Sequence, residues 1–318
     1  MISLRLIALA LVQLCFFNSF SQVTSNLNSK FTVVIDAGHG GKDPGNTGNG
    51  FIEKDIALSI SLSLGKKLEE NDINVIYTRK KDVFVDLFER ANIANRSDAQ
   101  LFISVHCDAH TSQAYGAGTF VLGLHANERN FEIAKKENSV IFFEDNYEDT
   151  YDGFDPNNPE SVIGLTLMQE EYLDQSIIAA SYIQNSFINT LKRKNRNVKQ
   201  AGFIVLKYTY MPSVLVETGF LTNRTEGLYL NSSKGQSEMA DAISLAVLKY
   251  KNDFFKNLST STLSNIDSNN ISKTPLLYRV QIAASNKLLD LKPYNFNGLK
   301  SVDAVSYTHL RAHETQFH

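Results

Sequence analysis

The chain has 318 residues, 43% of them hydrophobic, and 31 Lys and Arg stand against 34 Asp and Glu for a formal net charge of −3. That length holds one large globular domain with accessories. A charge balance this even argues against a general polyanion binder, so no nucleic-acid partner is expected.

The chain begins with a segment unlike the rest. Met1 to Ser21 carries one basic residue, Arg5, then the apolar stretch Leu6 to Phe17, then Ser19-Phe20-Ser21 ahead of Gln22. Small residues at the third and last positions before a cut are the pattern of a secretory signal. The apolar core falls short of the roughly 20 residues that cross a bilayer. Leu14, rather than a small residue, precedes Cys15, which argues against a lipid anchor. An exported protein of the periplasm or cell envelope is expected, with no stable membrane anchor. Removal of the segment leaves Cys107 alone, so no internal disulfide can form and stability must come from the core.

Beyond the signal, strand-like runs alternate with amphipathic helical patterns. Strands are predicted at Val33–Asp36, Ile73–Thr78, Leu101–His106, Gly118–Leu122, Phe203–Leu206 and Ser213–Glu217, and helices at Lys54–Glu70, Asp86–Arg96, Met168–Leu191 and Gly235–Tyr250. In the first helix Ile56, Leu58, Ile60, Leu62, Leu64 and Leu68 supply the apolar side and leave Lys66, Lys67, Glu69 and Glu70 to water. Such alternation implies an α/β fold, a twisted and mostly parallel sheet with helices on both faces. In such sheets the functional site collects at the carboxyl ends of the strands.

Four candidate site residues fall at or beside those ends. The run Thr32-Val-Val-Ile-Asp36 stops, and Ala37-Gly38-His39-Gly40-Gly41 turns the backbone sharply to bring an imidazole to the rim. Glu53 sits just before the first helix, on the loop that follows the first strand, His106 ends the third strand and Glu217 ends the sixth. Two histidines and one carboxylate form a ligand set that leaves Zn2+ an open position for water, with Glu217 as the general base. Taken singly, each has a plain structural explanation: His106 as a strand-end residue, Glu53 as an acid favoured by the helix dipole. Together they do not, because Glu217 follows Val214-Leu215-Val216, where an unpaired buried acid is costly. The glycine-rich turn lacks both the Lys-Ser/Thr ending of a phosphate-binding loop and the dinucleotide glycine spacing. His110 and His125 compete as ligands from loop positions that favour outer roles. Cys107 faces away from His106 and reads as a packed thiol. Ser104 has no accompanying His-Asp set to make it a nucleophile.

The segments VVIDAGHGGKDPG, the acid of FIEKD, ISVHCDA and MPSVLVETGFLTN resemble, in order and spacing, the zinc-dependent N-acetylmuramoyl-L-alanine amidases of the type 3 family, over about Lys30 to Asp253. The resemblance implies His39, Glu53 and His106 as Zn2+ ligands and Glu217 as the catalytic base. It also implies hydrolysis of the amide between N-acetylmuramic acid and L-Ala in peptidoglycan, for cell-wall turnover or daughter-cell separation. A zinc peptidase acting within the stem peptide shares this metal set, and a non-catalytic glycan-binding regulator is a third reading. One departure is Cys107-Asp108, where the family often has a small residue and then Asn or Asp.

Residues 138–167 exceed what a minimal amidase core requires. No Lys or Arg occurs from Asn138 to Thr190, while acids accumulate around Asp155-Pro156-Asn157-Asn158-Pro159. The segment reads either as a solvated loop or, by similarity to division amidases, as an insert covering the zinc until a protein activator moves it. An acidic side chain from it could then take the open zinc position. Residues 254–275 have linker composition. Residues 276–301 look like the first third of a sporulation-related repeat, too short to bury a core, and 302–318 read as a non-native tail.

Overall fold

The computed structural model describes residues 30–124, 128–158, 161 and 170–266. The expected signal (1–21), His125, the partial repeat (276–301) and the tail (302–318) lie outside them. Two compact units divide between Thr262 and Leu263, and all that follows on the sheet concerns the first.

In chain order the elements are β1 (Thr32–Ala37), β2 (Thr47–Gly48), β3 (Phe51–Ile52), α1 (Glu53–Glu69), β4 (Asn74–Tyr77), α2 (Leu87–Asn95), β5 (Leu101–Asp108), β6 (Ala117–Leu122), α3 (Glu128–Asn138), a 3-10 turn (Ser139–Phe143), α4 (Tyr147–Thr150), α5 (Glu170–Asn189), β7 (Asn195–Ala201), α6 (Ile204–Lys207), β8 (Ser213–Phe220), α7 (Arg224–Leu230) and α8 (Ser233–Ile266). Six strands form one sheet in the order β4-β1-β5-β8-β6-β7. All neighbours are parallel except β6 and β8. The expected mostly parallel α/β sheet is present, and β1, β5 and β8 are buried along their whole length.

Alternation along those strands splits the core in two. Val33, Ile35, Ile103, Val105, Val214 and Val216 pack with α1, α5 and α8; Val34, Phe102, Phe120 and Leu215 pack with α2, α3 and the segment after it. Helices thus cover both faces, as a buried parallel sheet requires.

Three differences from the sequence expectation have physical reasons. The apolar run Phe203–Leu206 is not a strand: Ile204–Lys207 is a helical turn buried in the second core, and the strand beside β6 is the polar Asn195–Ala201. A short apolar run carries no period that separates strand from helix, whereas an edge strand with one wet side shows little hydrophobic signal. Asn49 and Gly50 both have positive φ and join β2 to β3, the hairpin turn that Asn-Gly favours. Finally, α8 continues past Asp253 into the stretch of linker composition and ends at Ile266, with Phe254 and Phe255 packed edge-on against Phe31.

Candidate metal centre

The parallel order sets β1, β5 and β8 side by side with their carboxyl ends at one rim, and the structure brings three of the candidate residues into contact there. His39 Nε2 lies 3.2 Å from Glu53 Oε2, and His106 Nδ1 lies 3.1 Å from Glu53 Oε1. The two imidazoles meet edge to face at 4.8 Å. Glu217, on β8, is level with His106 on β5.

Glycine permits this closeness. A Cβ on Gly38 would fall 2.4 Å from the His106 ring, and one on Gly45 would fall 2.5 Å from the His39 ring and 2.8 Å from Glu53 Oε2. His39 itself has φ 60, a left-handed conformation that costs a non-glycine residue about 1–2 kcal/mol. Buried arginines hold that turn. Arg79 donates to the carbonyls of Ala37, Gly38 and Lys54, and Arg90 donates to those of Ala37 and His39. Because Lys54 follows Glu53, Arg79 ties the start of α1 to the histidine turn.

Each candidate ligand is oriented by a further partner. Asp43 Oδ2 sits 2.7 Å from His39 Nδ1, which leaves Nε2 facing the cluster. Glu53 accepts from Cys107 N through Oε1 and from Asn46 N through Oε2. His106 Nε2 lies 3.1 Å from Ser104 Oγ, which donates to Asp36 Oδ2 at 2.6 Å. Asp36 also accepts from Thr78 and pairs with Arg90 at 2.8 Å. Burial opposes ionisation of Asp36, but Arg90 first and then the two hydroxyls keep its carboxyl below the ordinary range. Such outer partners fix the ring orientation of a metal-binding histidine.

A fourth residue joins the cluster. Glu137, one residue before the expected insert, places Oε2 3.1 Å from His39 Nε2 and 3.0 Å from His106 Nδ1. A second carboxylate, besides that of Glu53, therefore stands against both imidazoles. It comes from the last turn of α3, not from the acids of the insert; Glu144, for example, accepts from Leu87 N and Tyr151 instead. No motif marks Glu137. The available signal is spacing, since Asn130, Phe131, Ala134, Glu137 and Asn138 form the buried face of α3 and Glu137 is the acid on that stripe.

The donor set fits a divalent cation. Ligand atoms of His39, Glu53, His106 and Glu137 all lie within 4.8 Å of one another, and all four residues are buried. His39 Nε2 and Glu137 Oε2 make no hydrogen bond despite their burial. Burial disfavours the His106 imidazolium, yet Glu137 and Glu53 outweigh it and hold its pKa up at about 10. Burial likewise opposes the Glu137 carboxylate, and His106 nonetheless draws its pKa down to about 2. Two buried carboxylates thus demand two positive charges, which two protons or one dication can supply, and two imidazoles with carboxylates suit zinc.

Glu217 is fully buried and neither carboxylate oxygen has a hydrogen-bond partner. Burial, then the charges of Asp108, Glu137 and Glu53, push its pKa well above the usual range. The remaining residues singled out in the sequence stand apart. His110 is exposed and hydrogen-bonded to Ser112, Cys107 is a buried free thiol 3.1 Å from Thr218 Oγ1, and Ser104 serves Asp36 and His106.

A parallel α/β sheet with an acid-imidazole cluster at its carboxyl rim defines the class. The chain belongs to the N-acetylmuramoyl-L-alanine amidase family, which residues 33–249 match. It is 33% identical over 225 residues to the N-acetylmuramoyl-L-alanine amidase AmiA of Escherichia coli (strain K12), covering 70% of this chain and 76% of that protein. Among solved structures it is similar to N-acetylmuramoyl-L-alanine amidase from Clostridium difficile 630 (27% identity, TM-score 0.54, 70% of this chain and 97% of that one). It is also similar to AmiC2 of Nostoc punctiforme (29% identity, TM-score 0.53, 70% of this chain and 98% of that one).

Proposed function

We propose that the protein is a zinc-dependent N-acetylmuramoyl-L-alanine amidase, exported to the cell envelope, that cuts peptidoglycan between N-acetylmuramic acid and L-Ala in cell-wall turnover or daughter-cell separation. The observation that carries this reading is the buried convergence of His39, Glu53 and His106 beside the unpartnered Glu217. When bound by those three residues, Zn2+ polarises a carbonyl and lowers the pKa of water toward 7. Asp43 and the Ser104-Asp36 pair hold the two imidazoles in their tautomers. Glu217, with both oxygens free of hydrogen bonds, would act as the carboxylate once a bound dication offsets the acids around it, taking the proton of the attacking water and passing it to the departing amine of L-Ala. Glu137 is a resting-state plug: its carboxylate holds the position that water and substrate need, and a protein activator acting on α3 or the segment after it would withdraw it.

The test is product analysis. Zinc-loaded protein incubated with purified peptidoglycan should release peptides with a new L-Ala amino terminus, chelator should abolish the release, and Glu217→Gln should bind zinc normally while losing nearly all turnover. New termini inside the stem peptide would replace this reading with a peptidase. Near-normal turnover by Glu217→Gln would remove Glu217 from the mechanism.

A further inference from the structure

Strand order carries the line of the site beyond Glu217. His106 on β5 is level with Glu217 on β8, Glu217 is level with Gly118 on β6, and β7 beyond it bears Arg196 and Lys199. Gly118 has no side chain to interrupt that line, and a Cβ there would come to 3.2 Å from Arg196 Cβ. Arg196 crosses this gap. Its guanidinium stands 4.2 Å from the centre of the Phe220 ring, and Nη2 donates to Asp108. Its Nη1 is buried without a partner. Arg129 of α3 stands over the same ring at 6.0 Å.

Neither Arg129 nor Lys199 makes an ion pair among the described residues. They are nevertheless close enough to disturb one another. Burial first, and then the charges of Arg196 and Arg129, bring the Lys199 ammonium down to about 8. Arg129 also lines a groove of about 790 Å³ that has Asp108, the partner of Arg196, and Glu137 in its wall, so this end of the cation group adjoins the candidate centre. Buried Arg196, half-buried Lys199 and exposed Arg129 thus carry three positive charges against the carboxyls of Asp108 and Glu217, and Asp108 is already paired with Arg196, so an anion from outside would be favoured there.

We propose that Arg129, Arg196 and Lys199 form an anion subsite for a free carboxylate of the stem peptide, on the leaving-group side of the scissile amide. The inference rests on the amidase reading. It follows from the chemistry of that substrate: the lactyl carboxyl is consumed in the amide, so a nearby free carboxylate must lie on the peptide side. Arg196 and Lys199 stand beyond Glu217 from the imidazoles in the strand order, and the subsite requires the departing amine to leave on that side. A glutamate joined through its side chain as the second stem residue leaves an α-carboxylate one residue past the cut.

Two muramoyl dipeptides test this, one with that α-carboxylate free and one with it as the carboxamide. Zinc-loaded wild type should prefer the carboxylate by about tenfold in kcat/KM, through KM. The preference should fall to about one in Lys199→Gln with Arg129→Gln, and should reverse in Lys199→Glu. Calorimetric binding of both compounds to Glu217→Gln protein gives an independent readout, with the same difference in Kd expected. Cleavage of both compounds with equal kcat/KM and equal Kd would overturn the subsite and leave the amidase reading intact. Cleavage of neither, with the difference in Kd retained, would overturn the amidase reading and leave the subsite standing.

Discussion

Truncating Glu137 should raise the basal rate. Its Oε2 stands 3.1 Å and 3.0 Å from the two imidazoles, while Glu53 remains against both rings, so Glu137→Ala takes away one carboxylate and leaves the other. Contacts to charged groups contribute about 1.5–3 kcal/mol each before the cost of burying the acid is set against them. With burial opposing this carboxylate, a net hold of about 1.5–3 kcal/mol for the pair is reasonable, which leaves roughly one molecule in ten to one in 150 open. Removing the plug then raises the rate roughly tenfold to a hundredfold. The helix end stays in place in the variant, because Asn138 donates to Gly202 O at 2.7 Å and accepts from Ile204 N at 2.9 Å. Deleting residues 146–161 is a poorer perturbation, since it takes Tyr151 and Phe154 out of the second core. The assay is the initial rate of dye-labelled peptidoglycan release at matched zinc occupancy, with folding of both proteins confirmed. Equal rates would refute the plug, and a lower rate would make Glu137 part of the working site.

Why Glu137 escapes the sequence, while His39, Glu53 and His106 do not, is a matter of what local chemistry records. His39 and His106 follow or end apolar runs buried on both faces, Glu53 opens an amphipathic helix, and nearby glycines give way to imidazole rings at 2.4 Å and 2.5 Å. Strand period, turn chemistry and ligand type therefore agree at each. Glu137 lies in Glu132-Ile-Ala-Lys-Lys-Glu137-Asn138, a charged helix whose acids differ only in which side docks. That choice is tertiary, made where Asn138 bonds to Gly202 and Ile204 and where α3 meets β7. The same limit applies to β7. Its polar residues conceal a strand because it pairs only along one edge, yet that edge carries Arg196 and Lys199. Residues with legible positions thus meet at the rim, and Glu137, Arg196 and Lys199, placed by docking, stand around them.

Two further outcomes follow from the groups around the cluster. Ser104→Ala removes the partner of His106 Nε2 but leaves Asp36 with Thr78 and Arg90, so zinc affinity measured by chelator competition should fall about 10- to 100-fold. A change under threefold, or a loss explained by unfolding, would deny Ser104 its positioning role. The second outcome concerns Lys199, whose ammonium faces Arg196, Arg129, Asp108 and Glu217, with burial and the two arginines bringing it down to about 8. Its proton is held less tightly in the folded chain than in the unfolded one, so between about 8 and 10.5 the unfolded chain binds more protons and stability rises with pH. The charge penalty is in full force below that window. Lys199→Gln should therefore raise Tm at pH 7, by only about 1–3 °C because solvent screens a partly exposed ammonium, and the advantage should shrink as pH rises through the window. The preference for a carboxylate substrate should fade over the lower part of the same window, because the neutral amine no longer attracts an anion. Thermal melts and paired kcat/KM values at pH 7, 8 and 9.5 decide it: a destabilised variant at pH 7, or a preference flat with pH, would mean that Lys199 is not the strained cation the geometry makes it.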